Sequence, residues 1–183
     1  MKFKVSLIIG TRPEAIKLIP LVNKFKANSL FEPRIIMTGQ HTDMVLDVMQ
    51  LFNIKEDLNI NCMKENQSLC HISIETLSGL EKHFKQNRPD LTIVQGDTNS
   101  AFAGALASFY NNIPVAHVEA GLRTKDINIP FPEEANRRLI SQISSLNFAP
   151  TKNALINLKN NKLPGESFLT GNTVIDAVMM IDK

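Results

Sequence analysis

The sequence predicts an α/β fold, a Rossmann-like parallel sheet with helices on both faces. Short runs of branched apolar residues recur along the 183 residues, as strands buried on both faces require. Amphipathic helical segments separate them, and the alternation persists along the whole chain. Several runs end at a Gly followed by polar residues, where a strand hands over to a helix. Strands alternating with helices at this spacing give parallel pairing through right-handed crossovers.

Residues 5–9 form the first predicted strand, almost wholly apolar. Thr11 can cap the helix that follows, Pro13 suits its first turn, and Ile16, Leu18, Ile19, Val22 and Phe25 fall mainly on one stripe. Residues 33–37 read as a second strand and 44–52 as a helix with Val45, Val48, Met49 and Phe52 turned inward. A longer helix is expected over 68–86, carrying Leu69, Ile72, Leu77, Leu80 and Phe84. The strand over 91–94 follows the Arg88-Pro89-Asp90 turn and leads through Gly96-Asp97-Thr98 into a helix of small residues over 100–110. Further strands are expected at 114–118 and 146–149, with helices at 133–144 and 152–158. Residues 168–170 are extended, Gly171-Asn172 breaks the chain, and a last helix runs over 174–181. The domain boundary is placed at 1–166, with 167–183 read as a hinge and the start of a missing second domain.

Composition excludes several classes. With 43% apolar and 21% charged residues, the chain can bury a core and is not disordered. A net charge of +2 leaves no excess to hold nucleic acid or an anionic membrane, so neither is an expected partner. At about 150 residues per domain, the length allows one domain and a remainder. Cys62 and Cys70 lack further cysteines at zinc-ligand spacing and read as inert thiols. The N-terminal apolar run is short and ends in Gly-Thr-Arg-Pro-Glu, unlike a secretion signal, and no stretch approaches the ~20 apolar residues of a membrane span. The expected location is cytoplasmic.

In an open parallel sheet, ligands bind outside the carboxyl ends of the strands. Arg12, the pair Gln40 and His41, Asp97 and Glu119 all fall just past strand ends, each near a Gly. Asp97 can cap the following helix or carry chemistry. Glu119 sits between an apolar strand and a Gly-Leu-Arg loop, where a carboxylate needs a partner; Arg123 or a ligand is expected. His117 reads as a core or supporting histidine, and His71 and His83 as surface residues without a role. Lys17 lies three residues after Glu14, the spacing of a surface ion pair, yet with Arg12 it also flanks a helix N-terminus that favours anions. Glu133 with Arg137 and Glu134 with Arg138 fit helix-stabilising i, i+4 pairs; alternatively Glu133 starts a helix aimed back at the rim. Gly-x-Gly-x-x-Gly after the first strand, a P-loop and a nucleophile elbow are absent, and no metal-ligand spacing is found. The rim of carboxylates and cations suits proton transfer on an anionic substrate.

Six segments carry a resemblance. They are Gly10-Thr11-Arg12-Pro13-Glu14-Ala15-Ile16-Lys17, Thr38-Gly39-Gln40-His41, Gly96-Asp97-Thr98, His117-Val118-Glu119-Ala120-Gly121-Leu122-Arg123, Pro132-Glu133-Glu134-Ala135-Asn136-Arg137 and Thr170-Gly171-Asn172-Thr173-Val174-Ile175-Asp176. In this order they resemble the non-hydrolysing UDP-N-acetylglucosamine 2-epimerases, over essentially the whole chain.

The resemblance implies the N-terminal half of a glycosyltransferase B type two-domain arrangement, with the active site in the cleft between the domains. It implies an isomerase that interconverts UDP-N-acetylglucosamine and UDP-N-acetylmannosamine for surface polysaccharide, without a redox cofactor, and a homodimer. It makes Asp97, Glu119 and Glu133 the catalytic carboxylates and Arg12, Lys17 and Arg137 substrate-binding residues. Gln40 and His41 match residues that help form a second, regulatory UDP-N-acetylglucosamine site. Family members are about twice this length, so an incomplete enzyme is expected. A non-catalytic nucleotide-sugar binding or interaction module made from such a half is the competing reading. A phosphoacceptor receiver domain is a third, disfavoured reading, because the first strand leads into Gly-Thr-Arg rather than paired acids for magnesium.

Overall fold

The computed structural model describes residues 1–181. Seven parallel strands lie in the order β3-β2-β1-β4-β5-β6-β7. The strands are β1 (Phe3–Ile9), β2 (Phe31–Met37), β3 (Leu58–Asn59), β4 (Leu91–Gln95), β5 (Val115–Val118), β6 (Leu146–Ala149) and β7 (Glu166–Leu169). The helices are α1 (Arg12–Lys26), α2 (Thr42–Leu51), α3 (Leu69–Gln86), α4 (Asn99–Tyr110), α5 (Glu133–Ile143), α6 (Lys152–Asn160) and α7 (Thr173–Ile181).

Residue alternation along β1 divides the core. Val5, Leu7 and Ile9 face α1 and α2 through Leu18, Ile19, Val22, Val45 and Met49, and Met180 of α7 joins that layer. Ile8, with Ile36 and Val94, faces α3, α4 and α5 through Leu80, Phe84, Ala101, Ala105 and Ile140. The sheet is thus covered on both faces, which is why its central strands read as unbroken apolar runs.

Strand order reverses at β1, which pairs with β2 on one side and β4 on the other. The chain winds outward to β3 and then returns to wind the other way, leaving a crevice beyond the ends of β1 and β4.

Some element bounds differ from the sequence reading, as in β1 and β2, which each begin two residues earlier than expected. The two-residue strand β3 went unread, since Leu58–Asn59 is too short to show alternation. Helix α2 begins two residues earlier than expected, at Thr42. The boundary set at residue 166 coincides with the start of β7, which pairs with β6 in the same sheet, and α7 returns to pack on α1. No described helix is long and apolar enough to cross a membrane.

Candidate active site

The ends of β1, β4 and β5 and the first turns of α1 and α4 enclose a cleft of about 160 Å³. Lys17, Gln95, Asp97, Thr98, Glu119 and Leu122 are among its lining residues. The structure therefore brings together Lys17 from the second turn of α1, Asp97 past the end of β4 and Glu119 past the end of β5.

Each carboxylate is paired with a cation. Oδ2 of Asp97 accepts from Nε of Arg137 at 3.0 Å and from its Nη2 at 2.5 Å. Glu119 accepts from the Lys17 ammonium and from the Gln95 side-chain amide. Burial pushes the Asp97 carboxyl up; Arg137 opposes this, and the charges of Glu133 and Glu119 reinforce it. The charges of two further carboxylates thus bear on Asp97.

The pairing differs from what spacing alone indicates. Lys17 does not pair with Glu14, because Glu14 is buried and used elsewhere. Its Oε2 accepts from the Gly10 and Thr11 N–H groups at 2.7 and 2.6 Å, and its Oε1 accepts from the Thr98 hydroxyl at 2.6 Å. Burial pushes the Glu14 carboxyl up, and these donors hold it back. Glu119 does not pair with Arg123, whose guanidinium donates to Leu122 O and the Ser141 hydroxyl. Arg137 leaves the i, i+4 register with Glu133 and reaches Asp97 and Glu134 instead. The Glu134–Arg138 pair forms as spacing predicts, at 2.6 Å.

Glu119 has a φ of 64°, the left-handed region that non-Gly residues seldom occupy. The strand therefore ends by turning sharply, and the carboxylate faces the Lys17 side of the cleft. Strain of this kind persists only where surrounding contacts over-determine it.

The remaining predicted residues lie farther out. Arg12 is exposed on the first turn of α1, and Glu133 opens α5 half-buried, near enough to influence Asp97. Gln40 and His41 do not line the cleft. Oε1 of Gln40 accepts from the Ser100 hydroxyl at 2.7 Å, and exposed His41 borders a separate groove with Thr42, Asp43, Met44 and Met63. His117 is fully buried and its Nε2 donates to Gly96 O at 2.7 Å. Gln95, Thr98, Glu14 and Asn136 escaped the sequence reading. A polar residue closing an apolar strand, as Gln95 does, was the available signal. Among the described residues, no group of three or more His, Cys, Asp or Glu side chains is placed to hold a metal ion.

A family model described as UDP-N-acetylglucosamine 2-epimerase matches residues 23–183. The chain belongs to the UDP-N-acetylglucosamine 2-epimerase family. A Bacillus subtilis member is 48% identical over 178 residues, which are 97% of this chain and 47% of that protein. The crystal structure of the Neisseria meningitidis UDP-GlcNAc 2-epimerase bound to UDP-GlcNAc superposes with a TM-score of 0.93 at 45% identity, covering 97% of this chain and 49% of that one. The Methanocaldococcus jannaschii epimerase in complex with UDP-GlcNAc and UDP gives 0.91 at 38% identity, covering 97% of this chain and 49% of that one. The chain spans about half the length of the epimerases it matches. An Acinetobacter baumannii MurG structure, at 12% identity and a TM-score of 0.60, shares the fold alone.

Proposed function

We propose that this chain carries the catalytic carboxylates of an enzyme that interconverts UDP-N-acetylglucosamine and UDP-N-acetylmannosamine by elimination and re-addition of UDP. The observation that carries the reading is the facing pair Asp97 and Glu119, each held by its own cation in one cleft at the strand-order reversal. One carboxylate takes the proton from sugar C2 while the C1–O bond breaks and its electron pair leaves with UDP, so that a C1–C2 double bond forms. Oxygen of UDP then bonds to C1 as an acid delivers a proton to the opposite face of C2. Asp97, Glu119 and Glu133 supply these proton acceptors and donors. Arg12, Lys17 and Arg137 bind substrate, and Arg12 and Lys17 stabilise the charge that collects on the departing diphosphate.

The cleft of about 160 Å³ is below the roughly 300–1,000 Å³ of ordinary ligand sites, so it suits the reacting sugar rather than a whole nucleotide sugar. Much of the uridine and diphosphate binding then falls to a second domain. Gln40 and His41 serve a second, regulatory nucleotide-sugar site. The assembled enzyme is a cytoplasmic homodimer that supplies a surface polysaccharide precursor.

Incubation with UDP-N-acetylglucosamine in deuterium oxide, followed by proton NMR at sugar C2, tests the reading. Deuterium incorporation with the manno epimer is expected once a C-terminal half is present. In that active form, Asp97→Asn, Glu119→Gln and Glu133→Gln should each lower turnover by about 10²–10⁴-fold, and near-normal rates for all three would overturn the assignment. The half-length match favours one second reading, a nucleotide-sugar binding module without chemistry. Saturable calorimetric binding with no C2 exchange in any assembled form would select it.

A further inference from the structure

The Gly96–Asp97 turn is gripped from several directions by residues remote in sequence. Gly96 has a φ of 70°, and a Cβ there would meet nothing within 4 Å, so the glycine serves the backbone angle rather than packing. Its N–H donates to Val118 O at 2.9 Å. Its carbonyl accepts from Nε2 of His117 at 2.7 Å. The Asp97 carbonyl accepts from Nδ2 of Asn136 at 3.0 Å. The clamping side chains sit 21 and 39 positions away, on β5 and α5.

Packing does not account for His117. Its ring is fully buried, and its Nδ1 has no partner among the described residues. An apolar side chain in that place would avoid the cost of desolvating the second nitrogen. The bond to Gly96 is the one polar contact its position secures. Asn136, 5% exposed, likewise turns its amide toward a carbonyl of the opposite loop rather than toward solvent.

The two carbonyls belong to the peptide planes on either side of the Asp97 Cα. Because each peptide is planar, holding both planes fixes φ and ψ of Asp97 and with them the direction of its Cα–Cβ bond. Arg137 then selects among the side-chain rotamers. We infer that His117 and Asn136 are positioning residues, which together aim the Asp97 carboxylate into the cleft. The clamp is a property of this chain; its bearing on turnover rests on the epimerase reading.

Two measurements separate the clamp from that reading. The first is amide hydrogen exchange of Gly96 in the 183-residue chain, compared with Ile93 and Val94 of the preceding strand β4. His117→Met and Asn136→Ala should speed Gly96 exchange by about 10-fold relative to those neighbours, and His117→Gln, which keeps an amide donor, should stay within about threefold of the parent. The second is kinetics in the form that epimerises. Both donor-less variants should lower kcat by about 30–100-fold with KM within about threefold, and the deuterium effect with C2-deuterated substrate should rise. His117→Gln should recover most of the loss. Unchanged Gly96 exchange and unchanged kcat in folded variants overturn the inference. Altered Gly96 exchange in a protein that never exchanges C2 would leave the clamp standing and remove the epimerase reading. If His117→Met does not fold, Asn136→Ala carries both readouts.

Discussion

The Lys17 ammonium, on the second turn of α1, pairs with the Glu119 carboxylate past the end of β5, 102 residues farther along the chain. The two side chains are 21% and 15% exposed, so their attraction is screened less than at an open surface. The contact joins the cationic first helix to the carboxylate rim and gives the cleft its mixed charge.

Replacing Lys17 by Met should therefore act on chemistry more than on folding. Glu119 keeps the Gln95 amide, so the expected stability loss is about 1 kcal/mol, between that of exposed and buried pairs. Epimerisation in the assembled enzyme should fall by about 10²–10³-fold. A time course of C2 exchange by NMR checks this, and a rate within twofold of the parent would remove Lys17 from the site.

Arg137 spans two carboxylates, Asp97 and the fully buried Glu134. A planar fork can do this and a point charge on a flexible stem cannot. Arg137→Lys should cost about 2–3 kcal/mol in urea unfolding, since it leaves buried carboxylate oxygens short of donors. Equal unfolding midpoints for parent and variant would show that this bridge between two carboxylates contributes nothing to stability.

Burial holds the His117 imidazole down to about 4, against an ordinary 6.5. The unfolded chain gains a proton as pH falls below about 6.5, whereas the folded chain does so only near 4. This group's contribution is therefore full above pH 6.5 and declines as pH drops toward 4, by about 3 kcal/mol in all. Urea midpoints of the parent should fall through that window, and His117→Gln should lack this part of the slope. Parallel curves for the two proteins would show that the imidazole titrates normally in the fold.

Two left-handed glycines make a control pair. At Gly121, with φ 92°, a Cβ would lie 2.3 Å from the Ala154 carbonyl oxygen of α6, whereas the same atom at Gly96 meets open space. Gly96→Ala should cost about 1–2 kcal/mol from backbone strain alone. Gly121→Ala must also displace α6 and should cost more, about 3 kcal/mol or above. Thermal unfolding of the two variants side by side decides it, and equal losses would mean that α6 yields to the extra methyl without cost.

Most of the architecture was legible in the sequence because it follows from local rules. The branched runs in β1, β2 and β4 and the stripe Leu18, Ile19 and Val22 in α1 state their own burial, and alternation of the two implies parallel pairing. The positions of Asp97 and Glu119 past strand ends were legible for the same reason, as strand ends in such a sheet meet at one edge, and Lys17 was legible as a cation beside the N-terminus of the first helix. β3 was not, since two residues carry no period.

Partnership was decided only by the tertiary structure. Spacing offered Lys17 to Glu14, Glu119 to Arg123 and Arg137 to Glu133, each a neighbour within four residues. The fold instead drew Glu14 inward to bridge the Thr11 and Thr98 loops, which freed Lys17 for Glu119, and turned Arg137 across to Asp97. A charged side chain in water gains little from a neighbour on its own helix, but a carboxylate taken out of water must find donors wherever the fold supplies them. The sequence thus placed Lys17, Asp97 and Glu119 near one edge of the sheet, and burial determined which groups they would face.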